Sequence, residues 1–332
     1  MDSAELNGDD VDPEIRQFAD AIAAAYAAHG PFDRMSPIEQ RQVCEIVRAP
    51  WRQGGPVMAV TLDLTVDTPR GPVRVRIHDP TEAGPKPALI YLHGGGWALF
   101  SIDTHDRVMR EYAARAGVVV VGVDYALAPE HPFPAALEQV MAAARWLRDE
   151  GAALGVDADR IAIGGDSAGG NLSVAAALSL RDAGEGELLK AMVLIYGGFD
   201  YDLSDEAIRR YSGPRYMLNA DEREVFWRSY AAGPGDLDNP LARPILADLH
   251  GLPPAFLVIG ECDILAEQNL RMAERFRAAG VPVRAQVYPG ATHSFIEAVS
   301  IAAVARRAIG ESADWLAGQL ARTAGPVSSG EV

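Results

Sequence analysis

Gly165-Asp166-Ser167-Ala168-Gly169-Gly170 sets one hydroxyl between an apolar run, Arg160-Ile161-Ala162-Ile163, and a stretch from Asn171 to Leu178 whose large apolar residues recur at helical spacing. A sharp strand-to-helix turn here lifts Ser167 clear of the backbone, and glycines flank it because a Cβ would collide with neighbouring elements. Such a serine can attack a carbonyl if a base removes its proton. The Ala168 amide, at the start of a helix, would point an unpaired N–H at the attacked carbonyl, with the positive end of the helix dipole behind it. A phosphate-binding loop is the competing reading. No Lys-Ser or Lys-Thr follows the glycines and the G-x-G-x-x-G spacing is missing, so neither the P-loop nor the dinucleotide fingerprint fits.

Three further groups complete the chemistry. His293, in Gly290-Ala291-Thr292-His293-Ser294-Phe295, lies just past the last apolar strand and is the best general base of the seven histidines. His29, His78, His105, His131 and His250 lie in helical, edge or Pro-rich contexts and read as solvated or structural. Asp263, after Ile259-Gly260-Glu261-Cys262, is the orienting acid. Its rivals are Glu261, which strand alternation turns away, and Glu267, which reads as a first-turn helix acid. The chain order Ser, Asp, His is that of α/β-hydrolases. His93-Gly94-Gly95-Gly96-Trp97 follows another strand and offers bare backbone N–H groups for an oxyanion hole, with His93 pinning the loop by hydrogen bonds.

The elements that must position these residues form an alternating pattern. Residues 88–92, 118–123, 161–163, 191–195 and 255–259 are continuous apolar runs separated by helical stretches. They read as buried parallel strands with helices on both faces. An alternating pair, 59–67 and 73–78, predicts an antiparallel hairpin at the sheet edge, with Val60, Leu62, Leu64 and Val66 on one face. A last edge strand spans 281–288. Two helices are expected before the sheet, from Asp12-Pro13 and near Ser36-Pro37. The interval from Ile195 to Pro254 is too long for a connection and contains a helix-like stretch, Asp221 to Tyr230, so it reads as a lid. The expected organisation is cap helices in 1–50, a catalytic domain in 51–196 and 251–322, a cap insertion in 197–250, and a flexible tail in 323–332. The start of the chain, to about residue 10, is expected to fray.

The 332 residues can bury a sizeable core, with 48% hydrophobic and 23% charged. A net charge of −16 argues against nucleic acid and anionic membrane surfaces. Cys44 and Cys262 have no metal or disulfide spacing, and no cofactor or metal is expected. An acidic N-terminus and the lack of a membrane-length apolar run predict a cytoplasmic location.

His93-Gly94-Gly95-Gly96-Trp97, the stretch Asp124-Tyr125-Ala126-Leu127-Ala128-Pro129-Glu130-His131-Pro132-Phe133-Pro134-Ala135, the Gly165 to Asn171 turn and His293-Ser294-Phe295 together resemble the hormone-sensitive-lipase-like branch of α/β-hydrolases, microbial carboxylesterases with a G-D-S-A-G elbow. The resemblance runs from about Ala88 to the final helix. It implies a Ser167, Asp263, His293 triad, an oxyanion hole from the amides of Gly94, Gly95 and Ala168, and a cap from the N-terminus and the long insertion. It also implies that Asp124 and its neighbours buttress the oxyanion loop. Three departures stand out: Asp263-Ile264-Leu265 where the family has D-P-L, Ser294 where it has Gly, and Gly197-Gly198 where it commonly has Pro. The expected activity is hydrolysis of short- to medium-chain carboxylic esters through an acyl-enzyme, with Trp97, Tyr196, Tyr211, Tyr216 and Phe226 assigned to the substrate pocket. An amide, lactone or carbamate hydrolase with the same triad, and a ligand-binding receptor on this scaffold, are the alternatives. The expected partner is a small-molecule ester, and the exposed last strand suggests a homodimer.

Overall fold

The computed structural model describes residues 10–321. The expected fraying of residues 1–9 and the flexible tail 323–332 therefore lie outside the described residues. Eight strands make one sheet: β1 Val60–Val66, β2 Val73–Asp79, β3 Lys86–Leu92, β4 Val119–Asp124, β5 Val156–Asp166, β6 Leu189–Ile195, β7 Ala255–Cys262 and β8 Val283–Thr292, in the order β1-β2-β4-β3-β5-β6-β7-β8. The β1, β2 and β4 pairings are antiparallel, and every pairing from β4 through β8 is parallel. The apolar runs are thus the strands the sequence predicts, with β8 at the edge.

These strands read as unbroken apolar runs because both faces are covered. Ile90, Leu92, Val121, Ile161 and Ile163 face one layer, where α4 (Ala135–Glu150), α5 (Ala168–Asp182) and α8 (Ala266–Ala278) add Val140, Leu172 and Phe276. Leu89, Tyr91, Val120, Ala162 and Val258 face the other, against α1 (Pro13–Ala27), α3 (Asp106–Ala116) and α9 (Ala303–Leu320). Side-chain alternation along each strand divides the two cores. The hairpin departs from expectation in one respect. Val73, Val75 and Ile77 of β2 are buried, but Val60 and Leu62 of β1 are 37% and 40% exposed, because β1 is the outermost strand.

Two elements above the sheet begin at side-chain caps. Asp12 accepts the amides of Glu14 and Ile15 at the head of α1, and Ser36 forms a capping box with Glu39 ahead of Pro37 in α2 (Pro37–Arg48). The Asp12 amide also donates to the Gly290 carbonyl at 2.9 Å, which ties the start of α1 to the chain leading into His293. In the long insertion, α6 (Asp205–Tyr211) was not anticipated, since seven residues carry little periodicity. The helix α7 (Ala220–Tyr230) was, and it begins at an Asn219 and Glu222 capping box. Tyr230 stacks on Trp97 with centroids 4.2 Å apart, and Trp227 meets the same indole edge-on at 4.8 Å. The insertion is thereby fixed to the loop after β3.

Among the described residues, no helix is long and apolar enough to cross a membrane, and no cluster of His, Cys, Asp and Glu is placed to hold a metal ion. Cys44 and Cys262 are free and buried.

Candidate active site

Ser167 sits between the end of β5 and the start of α5 with φ 54° and ψ −114°, a conformation that a non-glycine residue adopts only under constraint. The constraint is local. Its amide donates to the Ile195 carbonyl at 2.8 Å, and its carbonyl accepts from Gly198 at 3.1 Å. The flanking glycines are required by contact. A Cβ on Gly165 would lie 2.1 Å from the Leu92 carbonyl oxygen, and one on Gly169 only 1.9 Å from it. Gly169→Ala must therefore push the elbow off β3. Both a loss of at least about 2 kcal/mol of stability and a lower turnover are expected, read by denaturant unfolding and initial rates. Wild-type values for both would show that Leu92 can yield.

The other two residues are delivered by strand register. Cys262 of β7 pairs with Thr292 of β8, so the residues that follow them, Asp263 and His293, leave the sheet side by side. His293 Nδ1 lies 2.8 Å from Asp263 Oδ2, and His293 Nε2 lies 2.9 Å from Ser167 Oγ. Asp263 Oδ1 accepts the Leu265 amide at 2.8 Å, which fixes the carboxylate plane. Asp263 and His293 are both buried. The rivals lie elsewhere: Glu261 is exposed and accepts the Gly290 amide at 3.0 Å, while Glu267 takes the Ser204 hydroxyl.

The expected oxyanion donors need one correction. The Gly94 amide is already committed, donating to Asp166 Oδ1 at 3.1 Å. Gly95, Gly96 and Ala168 instead line the cavity beside Ser167, and the amides of Gly95 and Gly96 have no acceptor among the described residues. Glycine is required at both positions, with φ of 108° and 59°, and a Cβ on Gly96 would lie 2.2 Å from the Phe226 ring. The loop is held from behind. His93 donates from Nδ1 to the Gly94 carbonyl at 2.7 Å and stacks on Tyr125 at 4.3 Å, while the Tyr125 hydroxyl donates to the His93 carbonyl at 2.7 Å. Asp124 itself accepts from the Ile102 amide and from Arg74, so the direct support comes from its neighbour Tyr125 and from Ala128, whose amide meets the Trp97 carbonyl at 2.8 Å.

Asp166 and His105 form a buried pair that residue types alone did not reveal. Asp166 accepts from Tyr91 at 2.8 Å and faces His105 Nε2 at 3.3 Å. Thr104 already donates its hydroxyl to the Ser101 carbonyl, so His105 Nδ1 must donate to Thr104 Oγ1. Both ring nitrogens thus act as donors. Burial opposes the charge of each group, yet their attraction prevails, raising the His105 pKa and lowering that of Asp166. The carboxylate also explains Gly94, where a Cβ would lie 2.3 Å from Asp166 Oδ2.

His93 behaves oppositely. Burial first, and then the charge of His105, push its pKa down to about 4. The unfolded chain therefore binds a proton at this residue that the folded chain refuses, so its contribution to stability shrinks as pH falls from about 6.5 toward 4. The contribution amounts to at most about 3 kcal/mol. His93→Asn should flatten the decline of the unfolding midpoint over that window, and an unaltered slope would contradict the assignment.

A cavity of about 530 Å³ opens over Ser167. Of the five aromatic residues assigned to it, Trp97 and Phe226 line it, but Tyr196, Tyr211 and Tyr216 do not. Tyr196 is fully buried with its ring 4.8 Å from that of His293. Tyr216 turns its hydroxyl to Asp10, and Tyr211 packs edge-on against Tyr216 at 5.3 Å. The wall is completed instead by Met217 and Trp227 from the insertion and by Ile22, Tyr26, Phe32 and Arg48 from the N-terminal segment.

Comparison with known proteins gives a consistent result. Residues 89–297 match the α/β-hydrolase fold family. The chain is 38% identical over 244 residues to ethyl acetate hydrolase of Pseudomonas putida, covering 72% of this chain and 76% of that one. It is 40% identical over 228 residues to carboxylesterase NlhH of Mycobacterium tuberculosis, covering 68% and 71%. A solved esterase of Pyrobaculum calidifontis superposes with a TM-score of 0.85 at 36% identity, covering 94% of this chain and all of that one.

Proposed function

The chain belongs to the α/β-hydrolase fold family, in its hormone-sensitive-lipase-like branch, and from that premise we propose that it is a carboxylesterase acting on short- to medium-chain esters through a Ser167 acyl-enzyme. The observation that carries the reading is the relay from Ser167 through His293 to Asp263, at 2.9 and 2.8 Å, on the wall of a cavity flanked by uncommitted amides.

His293 Nε2 takes the Ser167 proton as Oγ attacks the ester carbonyl. Negative charge developing on the carbonyl oxygen is met by the amides of Gly95, Gly96 and Ala168, whose geometry is fixed before substrate arrives. His293 then gives its proton to the departing alcohol, which breaks the ester bond and leaves Ser167 acylated. Water enters, loses a proton to His293 and attacks the acyl carbonyl. Collapse of that second adduct returns the proton to Ser167 and releases the acid. Asp263 keeps the Nδ1 proton in place, so that in the neutral ring Nε2 is the acceptor, and in the imidazolium it is Nε2 that gives its proton up.

The helices of residues 1–50 and the insertion 197–250 serve as the cap that walls the cavity. Bulky Trp97, Phe226, Trp227 and Met217 shorten the space open to an acyl chain. p-Nitrophenyl esters from acetate to dodecanoate test the reading. kcat/KM is expected to be greatest on the shorter members and to fall toward dodecanoate. A maximum at dodecanoate would overturn the chain-length assignment, and no release from any member would turn attention to amides, lactones and carbamates.

A further inference from the structure

Arg48, at the end of α2, lines the cavity that holds Ser167, yet only 3% of it is exposed. Its Nε lies 3.3 Å from Glu297 Oε2, and Glu297 is 4% exposed. The pair is close enough to cancel charge but is not aligned for hydrogen bonding. Nε and Nη1 of Arg48 and Oε1 of Glu297 have no hydrogen-bond partner among the described residues. The rings of Phe100 and Phe18 lie 4.8 and 5.8 Å from the guanidinium carbon, so the edge N–H groups are the polar contacts left to it.

A buried ion pair offsets its desolvation only when its remaining donors and acceptors are satisfied. A half-satisfied pair in a cavity wall is a place for an oxygen of the occupant. Net charge then decides which oxygen. Glu297 already neutralises Arg48, its free Oε1 would repel an anion, and Asp33 and Glu222 line the same cavity. An uncharged acceptor gains the guanidinium bond without bringing a charge into this setting.

Resting on the esterase reading above, we propose that Arg48 is a specificity-determining residue that selects esters bearing a second, uncharged acceptor oxygen, such as a ketone or an ether, away from the scissile bond. Purely hydrocarbon esters of the same shape are turned over less well, because they leave the guanidinium edge unpaired.

Two isosteric pairs test this on the full-length enzyme, one for each side of the ester. p-Nitrophenyl 4-oxopentanoate is compared with p-nitrophenyl 4-methylpentanoate, and 2-methoxyethyl butyrate with butyl butyrate. Each ratio of kcat/KM is divided by the corresponding ratio for hydroxide-catalysed hydrolysis. In at least one pair the oxygenated ester is expected to be favoured about tenfold, mainly through KM, as suits one hydrogen bond to a charged donor. The preference should disappear in Arg48→Met/Glu297→Leu, a replacement of both charges by apolar residues that folded proteins generally tolerate. Arg48→Lys, which keeps a charge but withdraws the planar edge, should reduce it, and it serves if the double variant does not fold. Equal normalised rates within both pairs would overturn the proposal while leaving the esterase reading standing. So would a preference that survives in the variants. Failure of the wild type to hydrolyse any of the four esters would overturn both.

Discussion

Ser167→Ala lowers kcat on a short p-nitrophenyl ester by about 10⁴-fold or more while leaving the fold intact. The expectation is specific because alanine removes one oxygen and nothing else. The positive φ at the elbow is held by backbone bonds to Ile195 and Gly198 and by glycines packed under Leu92, none of which involves the hydroxyl. Thermal unfolding should therefore stay close to wild type, or rise slightly as the relay loses its constraint. Residual hydrolysis above the uncatalysed rate is also expected, since the amides of Gly95, Gly96 and Ala168 still stabilise a tetrahedral oxyanion formed by attacking water. Turnover within tenfold of wild type would place the nucleophile elsewhere.

Asp263→Asn is the second large effect, a fall in kcat of about 10⁴-fold with KM little altered. The two side chains have the same shape, and Asn Oδ1 can still accept the Leu265 amide that Asp263 accepts at 2.8 Å. Its other atom then presents N–H groups to His293 Nδ1, which must become an acceptor. The imidazole proton moves to Nε2, the atom that has to receive the Ser167 proton, and the base is blocked in its wrong tautomer. Glu261→Gln, two residues earlier in the chain, is the control. Its carboxylate is exposed and among the described residues accepts a hydrogen bond only from the Gly290 amide, so near wild-type kcat is expected. Equal losses from both substitutions would mean that the acid had been misassigned.

That Ser167, Asp263 and His293 come together was legible because each stands at the carboxyl end of a strand that declares itself by an apolar run. The pairing of Cys262 with Thr292 then carries the next two residues into contact without help from distant parts of the chain. The loop from His93 to Trp97 was legible as a loop but not amide by amide. Which of three consecutive glycines is spent depends on the Asp166 carboxylate, which arrives on β5 and captures Gly94. Aromatic content showed that the insertion forms a wall, but not which rings face inward. Tyr211 and Tyr216 turn away because Asp10 and their mutual edge-on packing hold them behind the cavity. Arg48 carried no signal at all, since a cation near a helix C-terminus ordinarily reads as a solvated dipole partner. Its burial follows from Glu297, Phe18 and Phe100, brought together only by the fold.

The most direct test of the acyl-enzyme is to label the wild type with a p-nitrophenyl phosphonate and locate the adduct by intact mass and peptide mapping. One adduct per chain is predicted, on Ser167, with activity lost in proportion to labelling and no adduct in Ser167→Ala. An adduct on another residue, or stoichiometric labelling that leaves ester hydrolysis intact, would contradict the account.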